Sequence, residues 1–166
     1  MKKIAIAAVL SALIASPAIA GDGYLGVNVG QNKIDVSTVK ESTAFGILGG
    51  YAYNENIAAE VAYTDLGSAE RNFSTAKLTG NVISIAAVGS LPLNNDFSLF
   101  AKLGYAQSKI EVPGISETKS DLTYGIGAQY SATKTIGIRL GYDSFKVGTT
   151  STKDSALITI GAIFKL

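Results

Sequence analysis

The sequence predicts an all-β protein, an eight-stranded antiparallel up-and-down barrel of the transmembrane type, with short turns at one rim and four longer loops at the other. Three observations predict it. After residue 20 the chain divides into about eight runs in which apolar and polar residues alternate with a period of two. The connections between these runs are short and long in turn, as in a barrel that closes on itself. The sequence is 47% apolar and only 16% charged, against about 25% charged for a soluble domain, yet after residue 20 it has no apolar run long enough for a membrane helix.

Residues 1–20 have the pattern of a secretory signal peptide. A cationic start at residues 1–3 precedes an almost unbroken apolar core at residues 4–14, and an A-x-A cleavage motif ends at Ala20. The alternative, a transmembrane anchor, is weaker because the apolar core is short and the small-residue motif follows it directly. We therefore divide the chain into a signal peptide at 1–20 and a barrel domain at 21–166.

The alternating runs have roughly the 9 to 11 residues that a tilted strand needs to cross a bilayer. In chain order we predict strands at Tyr24–Gly30, Ala44–Tyr53, Ile57–Asp65, Val82–Leu91, Phe97–Gln107, Leu122–Tyr130, Thr135–Phe145 and Ala156–Leu166. The short connections "NEN", "PLNND" and "SATK" carry turn residues. The other connections are long and polar, such as "GSAERNFSTAKLTG" and "SKIEVPGISETKSD". All short turns should lie at one rim of the barrel and all long connections at the other.

The two faces of these strands differ in both size and polarity. One face is large and apolar, with residues such as Val27, Ile85, Leu103, Tyr124 and Ile160. The other face is polar and rich in glycine. The interior of an eight-stranded barrel is only just wide enough for side chains to fill it, so the large face would overcrowd it. A water-exposed strand face made of glycine would also weaken the strands without any gain in packing. We therefore expect the glycine-rich face inside and the apolar face against lipid, rather than the reverse arrangement of a soluble barrel.

Glu60 stands in the middle of the strand "IAAEVAYTD", on the face opposite Val61 and Tyr63. It should therefore point into the barrel. A buried carboxylate is unfavourable unless it is paired, and the same face supplies Lys102 and Arg139 as cations. Many of the tyrosines lie near strand ends and fit an aromatic girdle at the headgroup region, although good strand propensity explains any one of them equally well.

Composition excludes several classes of function. Without Lys2 and Lys3 the chain has 12 basic and 13 acidic residues, a net charge of −1, so it has no basic surface for nucleic acid. It contains no cysteine and no histidine, which removes disulfides, the commonest metal ligand and the commonest general base. We expect no cofactor, no metal ion and no catalytic residue.

The stretches "FGILGGYAYNENIAAEVAYTDLG", "LFAKLGYA" and "YGIGAQYSATKTIGIRLGYD" resemble the N-terminal eight-stranded barrel of the OmpA-like outer-membrane proteins. The likeness covers essentially the whole chain after residue 20. It implies short periplasmic turns and four longer extracellular loops. We expect this protein to lack the periplasmic peptidoglycan-binding domain of the larger family members. The family's last strand commonly ends in an aromatic-x-Phe signal for the assembly machinery, whereas this chain ends Phe164-Lys165-Leu166.

The resemblance also implies a set of site residues in the lumen. In the family, acids and bases form a salt-bridge network that blocks the pore and can act as a gate. Glu60, Lys102 and Arg139 fall on matching positions, and Gln129 stands where the family has a second acid. Val88 and Asn28 replace family lysines, so the alternative cation of a partner-exchange switch is missing.

These observations predict an integral barrel of the bacterial outer membrane with a structural or surface-interaction role and a lumen plugged by its polar network. A narrow porin-like channel for small solutes or ions is the alternative. Enzymatic activity, as in barrel deacylases and acyltransferases, is disfavoured because no histidine can serve as a base beside a serine. The expected partners are outer-membrane lipid and lipopolysaccharide, the assembly machinery at the C-terminal strand and a surface partner of the loops. We expect a monomer that binds no nucleic acid.

Overall fold

The computed structural model describes residues 23–34, 42–71, 74–112, 115–147 and 153–166. These residues form eight strands, each hydrogen-bonded to the next along the chain, and β8 pairs with β1 to close a barrel. The strands are β1 (Gly23–Ile34), β2 (Ser42–Ala52), β3 (Ile57–Arg71), β4 (Ser74–Pro92), β5 (Phe97–Val112), β6 (Ile115–Ser131), β7 (Ile136–Val147) and β8 (Lys153–Lys165). The eight-stranded antiparallel up-and-down barrel is therefore confirmed. The proposed signal peptide lies outside the described residues.

The predicted strand ends are accurate at one rim and too short at the other. At the short-turn rim each strand ends within one residue of its predicted position, whereas at the opposite rim each continues two to eight residues further. The polar stretches at 67–80 and 108–121 are mostly strand, because the backbone ladders of β3–β4 and β5–β6 continue into them. Polar side chains can face water on both sides of such a hairpin, so its alternation of apolar and polar residues is lost while its hydrogen bonds remain. A bulge in β3 lies at Gly67, the described glycine with a positive φ of 72°, whose N–H donates to Asp65 Oδ1 at 2.8 Å.

The register of the eight ladders fixes the shape of the barrel. A path through hydrogen-bonded neighbours that leaves β1 at Tyr24 returns to β1 at Ile34, ten residues further along. The shear number is therefore 10. With a strand spacing of about 4.8 Å and a rise of about 3.3 Å per residue, the strands tilt by about 40° and the barrel radius is about 8 Å.

The three short turns share one geometry. The Oδ1 atom of Asn54 accepts hydrogen bonds from the backbone N–H groups two and three residues later, at 2.9 and 2.8 Å, and Asn94 does the same at 3.0 and 2.8 Å. Thr133 Oγ1 does so in the third turn. Each turn also accepts a backbone hydrogen bond from the end of the strand that leads to the next short turn, or, for the third turn, from the end of β8. These bonds join the turns into a ring around the rim, which Leu166 N closes by donating to Gly23 O at 2.9 Å.

The large apolar side chains cover the outside of the barrel. Leu103, Ile126 and Tyr105, for example, are about 60% exposed, as are many of their equivalents on other strands. Exposed aromatic side chains occur near the short-turn rim, at Tyr51, Tyr53, Phe97 and Tyr130, and again nearer the other rim, at Phe45, Tyr105, Tyr124 and Tyr142. The outer surface is thus apolar, with aromatic residues towards both ends.

Two apolar layers lie inside the barrel. The lower layer, nearer the short turns, contains Tyr24, Leu48, Ala58, Val88, Phe100 and Ile163. The upper layer contains Ala44, Leu66, Val82, Ala106 and Leu157. Polar side chains lie within and between them. Within the described ranges, no helix is long and apolar enough to span a membrane.

Candidate functional site

Glu60 lies on β3 and points into the lumen, with only 4% of its surface exposed. Among the described residues that form ion pairs in the lumen, it is the most deeply buried. Its Oε1 atom accepts a hydrogen bond from Arg139 Nη1 on β7 and a second from the Tyr24 hydroxyl on β1, the latter at 2.7 Å. The carboxylate therefore joins three strands that are far apart in the sequence. A buried carboxylate requires this kind of paired and hydrogen-bonded environment.

The Arg139 guanidinium is held from three sides. Its Nε and Nη2 atoms donate to Gln129 Oε1, at 3.0 and 2.9 Å, so the amide oxygen receives a two-pronged hydrogen bond from the neighbouring strand. The guanidinium carbon lies 4.7 Å from the centre of the Phe100 ring and 5.6 Å from that of Tyr24, distances at which cation–π attraction operates. These contacts hold the guanidinium in the position where its Nη1 atom donates a hydrogen bond to Glu60.

Lys102 belongs to a second ion pair. Its Nζ atom lies 2.7 Å from Asp143 Oδ1, and the two side chains are 18% and 19% exposed. The same ammonium group is 5.8 Å from the centre of the Phe100 ring. The Phe100 ring is therefore close to both Lys102 and Arg139.

The spaces inside the barrel are small or confined to its ends. A central cavity of about 60 Å³ is lined by both acids, by Lys102 and by polar side chains such as Asn28 and Thr159, and it can hold a small group of water molecules. A wider cavity of about 410 Å³ opens between the short turns, with Tyr24, Gln129 and Arg139 among its lining residues. The Glu60–Arg139 network thus lies between these two spaces.

Glycines on the lumen face make room for the longer side chains. Gly50 is the register partner of Tyr24, and a Cβ atom on residue 50 would collide with the phenol ring. Gly46 stands in the same relation to Asn28. At these two positions the glycine leaves space for one particular neighbouring side chain.

The structure brings together three of the four site residues that the sequence suggested. Glu60, Arg139 and Gln129 form one network, while Lys102 pairs with Asp143 and meets Glu60 only as a common lining residue of the central cavity. Sequence reasoning missed two members. Asp143 and Tyr24 both lie on the predicted polar face, but the sequence offered no reason to include either in the site, and the structure places Tyr24 buried in the lumen.

All polar groups in this arrangement are satisfied. Every buried side-chain nitrogen or oxygen atom among the described residues has a hydrogen-bond partner. In the same part of the chain no cluster of three or more His, Cys, Asp or Glu residues could hold a metal ion. Chemically, the site is a set of mutually compensated charges.

The sequence profile of the family described as "Outer membrane protein beta-barrel domain" matches residues 5–164. The chain belongs to this outer-membrane barrel family. Its short turns are accordingly periplasmic and its long connections extracellular, and its apolar outer surface is the face that meets lipid. No curated protein gave a significant sequence match.

Solved structures share the fold of this barrel at low sequence identity. Ail, the attachment invasion locus protein of Yersinia pestis, superposes with a TM-score of 0.59 at 19% identity, covering 87% of this chain and 97% of Ail. Neisserial surface protein A gives 0.63 at 17% identity, with 87% and 97% covered. The N-terminal barrel of Pseudomonas aeruginosa OprF gives 0.57 at 14% identity, with 85% and 97% covered. These likenesses concern the fold.

Proposed function

We propose that this protein is a monomeric structural or surface-interaction barrel of the bacterial outer membrane, with a lumen plugged by its polar network. The main supporting observation is the Glu60–Arg139 pair, which bridges β3 and β7 across the lumen and is anchored by Tyr24 and Gln129. Phe100 and the rest of the lower apolar layer surround this pair. Eight-stranded barrels generally have filled interiors, and these residues would fill this one.

The second ion pair and the upper apolar layer support the same role. Above the lower layer, Lys102–Asp143 occupies the middle of the lumen, and Leu66, Val82 and Leu157 lie beyond it. An ion crossing the barrel would have to disrupt at least one buried ion pair and pass two apolar layers. Buried pairs resist the loss of one partner because the other charge is then left uncompensated.

A narrow channel is the second candidate. The 410 Å³ periplasmic cavity reaches Arg139, and the 60 Å³ central cavity lies on the other side of the network. Movement of the Arg139 side chain would join the two spaces. This candidate therefore predicts brief openings that depend on Arg139, rather than a steady aqueous pore.

The extracellular hairpins support a role in surface interaction. β3–β4 and β5–β6 form longer hairpins than the other strands, with β4 reaching 19 residues. Ail, a barrel of the same fold, is named for attachment and invasion. We infer that the hairpins of this protein present a surface to a partner outside the cell, that the signal peptide directs its export, and that it has no enzymatic activity, consistent with the absence of histidine.

Single-channel recording in planar bilayers tests the plugged lumen. The wild-type protein should show at most small and rare openings. Arg139→Ala should raise the frequency of openings, whereas Lys134→Ala, in a periplasmic turn, should leave the record unchanged. Large and steady conductance of the wild-type protein would contradict the plug.

A further inference from the structure

A groove of about 500 Å³ crosses the outer face of β7, β8, β1 and β2. Its side chains come from Leu140, Ile158, Ile160, Val29, Gln31 and Thr43. Gly30 and Thr159 also line it. These two residues are register partners, and both stand at positions whose side chains face the lumen. The groove therefore reaches the strand backbone at these positions.

The groove changes in character along its length. Leu140, Ile160 and Val29 give it an aliphatic wall within the apolar band. Towards the extracellular rim it ends at Gln31 and Thr43, which are register partners on β1 and β2. Both side chains are exposed.

Two exposed aromatic residues flank this groove. Phe45 on β2 is the register partner of Val29, and Tyr142 on β7 is the register partner of Ile158. The outward positions of β1 and β8 between them carry aliphatic side chains at Val29, Ile158 and Ile160. An extended hydrocarbon chain would therefore lie between two rings.

We propose that this groove binds one acyl chain of lipopolysaccharide, the lipid of the outer leaflet, and that Gln31 and Thr43 hydrogen-bond to the polar atoms at which the acyl chain joins the headgroup. Leu140, Ile158, Ile160 and Val29 contact the chain itself. The proposal rests on the outer-membrane position of the barrel, which places the Gln31 end of the groove at the outer leaflet.

The polar end of the groove gives the site its selectivity. Inside a membrane, apolar surfaces gain little from leaving lipid, so a lipid is retained by close packing and by hydrogen bonds. The groove offers packing along its aliphatic wall and hydrogen-bonding side chains at its extracellular end, Gln31 and Thr43. A lipid of the inner leaflet would bring its headgroup to the wrong end.

Native mass spectrometry of the detergent-extracted barrel tests the proposal. The protein is reconstituted in phosphatidylethanolamine vesicles with and without lipopolysaccharide and then extracted in mild detergent. The wild-type protein should keep one lipopolysaccharide molecule. Val29→Trp, which fills the groove, should lose it. Leu103→Trp, on the opposite wall of the barrel, should keep it. Gln31→Ala should lower occupancy by about threefold, the effect of one hydrogen bond in a membrane.

Faster migration of the unboiled sample on SDS gels confirms that each variant is folded. Equal retention by Val29→Trp and Leu103→Trp would overturn the groove as the site. Retention of phosphatidylethanolamine in place of lipopolysaccharide would overturn the assigned occupant. A photoreactive side chain at position 31 should crosslink to lipopolysaccharide. A crosslink to a second copy of the protein would also overturn the assigned occupant. None of these measurements depends on conductance. A negative result would therefore reject the lipid site without bearing on the proposal that the lumen is plugged.

Discussion

Asp143 lies directly across the β6–β7 pair from Gly125, and its carboxylate occupies the space that a Cβ atom on residue 125 would need. The same carboxylate forms the 2.7 Å ion pair with Lys102. The relationship recurs between Tyr24 and Gly50 across β1–β2. A glycine of the lumen face therefore determines where its longer neighbour can lie, and through that neighbour it affects the polar network.

Gly125→Ala should destabilise the barrel by about 1–3 kcal/mol, because the added methyl group displaces Asp143 from Lys102 and crowds the backbone of β7. Urea unfolding in lipid vesicles measures this change. Gly89→Ala is the matched control, since a Cβ atom there meets nothing within 4 Å, and it should change the stability by less than about 0.5 kcal/mol. Equal losses in the two variants would show that Asp143 does not need the space.

A double-mutant cycle on Gly46 and Asn28 tests the same relationship more directly. The three atoms nearest to a Cβ on residue 46 all belong to the Asn28 side chain. Gly46→Ala alone should therefore cost about 1–3 kcal/mol, and in the Asn28→Ala background the cost should nearly vanish. The coupling energy from urea unfolding is the readout. If the two effects simply add, the side chain of Asn28 does not occupy this space.

The short-turn ends of the strands could be predicted from sequence because turn chemistry marks them. Asn54 and Asn94 stand at the positions where their side chains accept the turn's backbone N–H groups. The extracellular ends could not be predicted, since above the apolar band polar residues fit a hairpin as well as a loop. Backbone pairing alone continues β3 to Arg71 and β4 back to Ser74.

The site was only partly predictable, for a geometric reason. Glu60, Lys102 and Arg139 could be predicted as lumen residues because they are charged and lie on the strand face that is rich in glycine. Which acid meets which cation depends on the shear of the closed barrel, and strand alternation does not contain that information. Alternation places Tyr24 on the same face of β1 as Gly26 and Asn28, but its hydrogen bond to Glu60 on β3 depends on the closed barrel and could not be predicted from one strand.

Glu60→Gln should destabilise the barrel by about 3–5 kcal/mol, because it leaves the Arg139 guanidinium buried without a counter-charge. Arg139→Met should have a similar effect, and the double variant should cost less than the sum of the two. Lys102→Met should cost less than either, since its ion pair is more exposed. Glu55→Gln, in an exposed turn, is the control for urea unfolding. A loss no larger than that of Glu55→Gln would contradict the role of Glu60.

Tyr24→Phe removes the hydroxyl that donates to Glu60 at 2.7 Å and keeps the ring. A hydrogen bond to a charged group contributes about 1.5–3 kcal/mol, so the variant should lose stability by that amount. Tyr51→Phe is the matched control on the exposed outer face of β2, and its unfolding midpoint should be unchanged. Equal midpoints for the two variants would place Tyr24 outside the network.

Leu103 follows Lys102 in the chain, yet it points out of the barrel and is 59% exposed. An arginine on the lipid-facing surface near the bilayer midplane costs about 2–4 kcal/mol, and about 0–1 kcal/mol near the interface. Leu103→Arg should therefore destabilise the barrel strongly in lipid vesicles. Gln107→Arg, four residues closer to the extracellular rim on the same strand and face, should have little effect. In a barrel with a water-exposed outer face both changes would be nearly neutral, so equal unfolding free energies would reverse the assignment of the two faces.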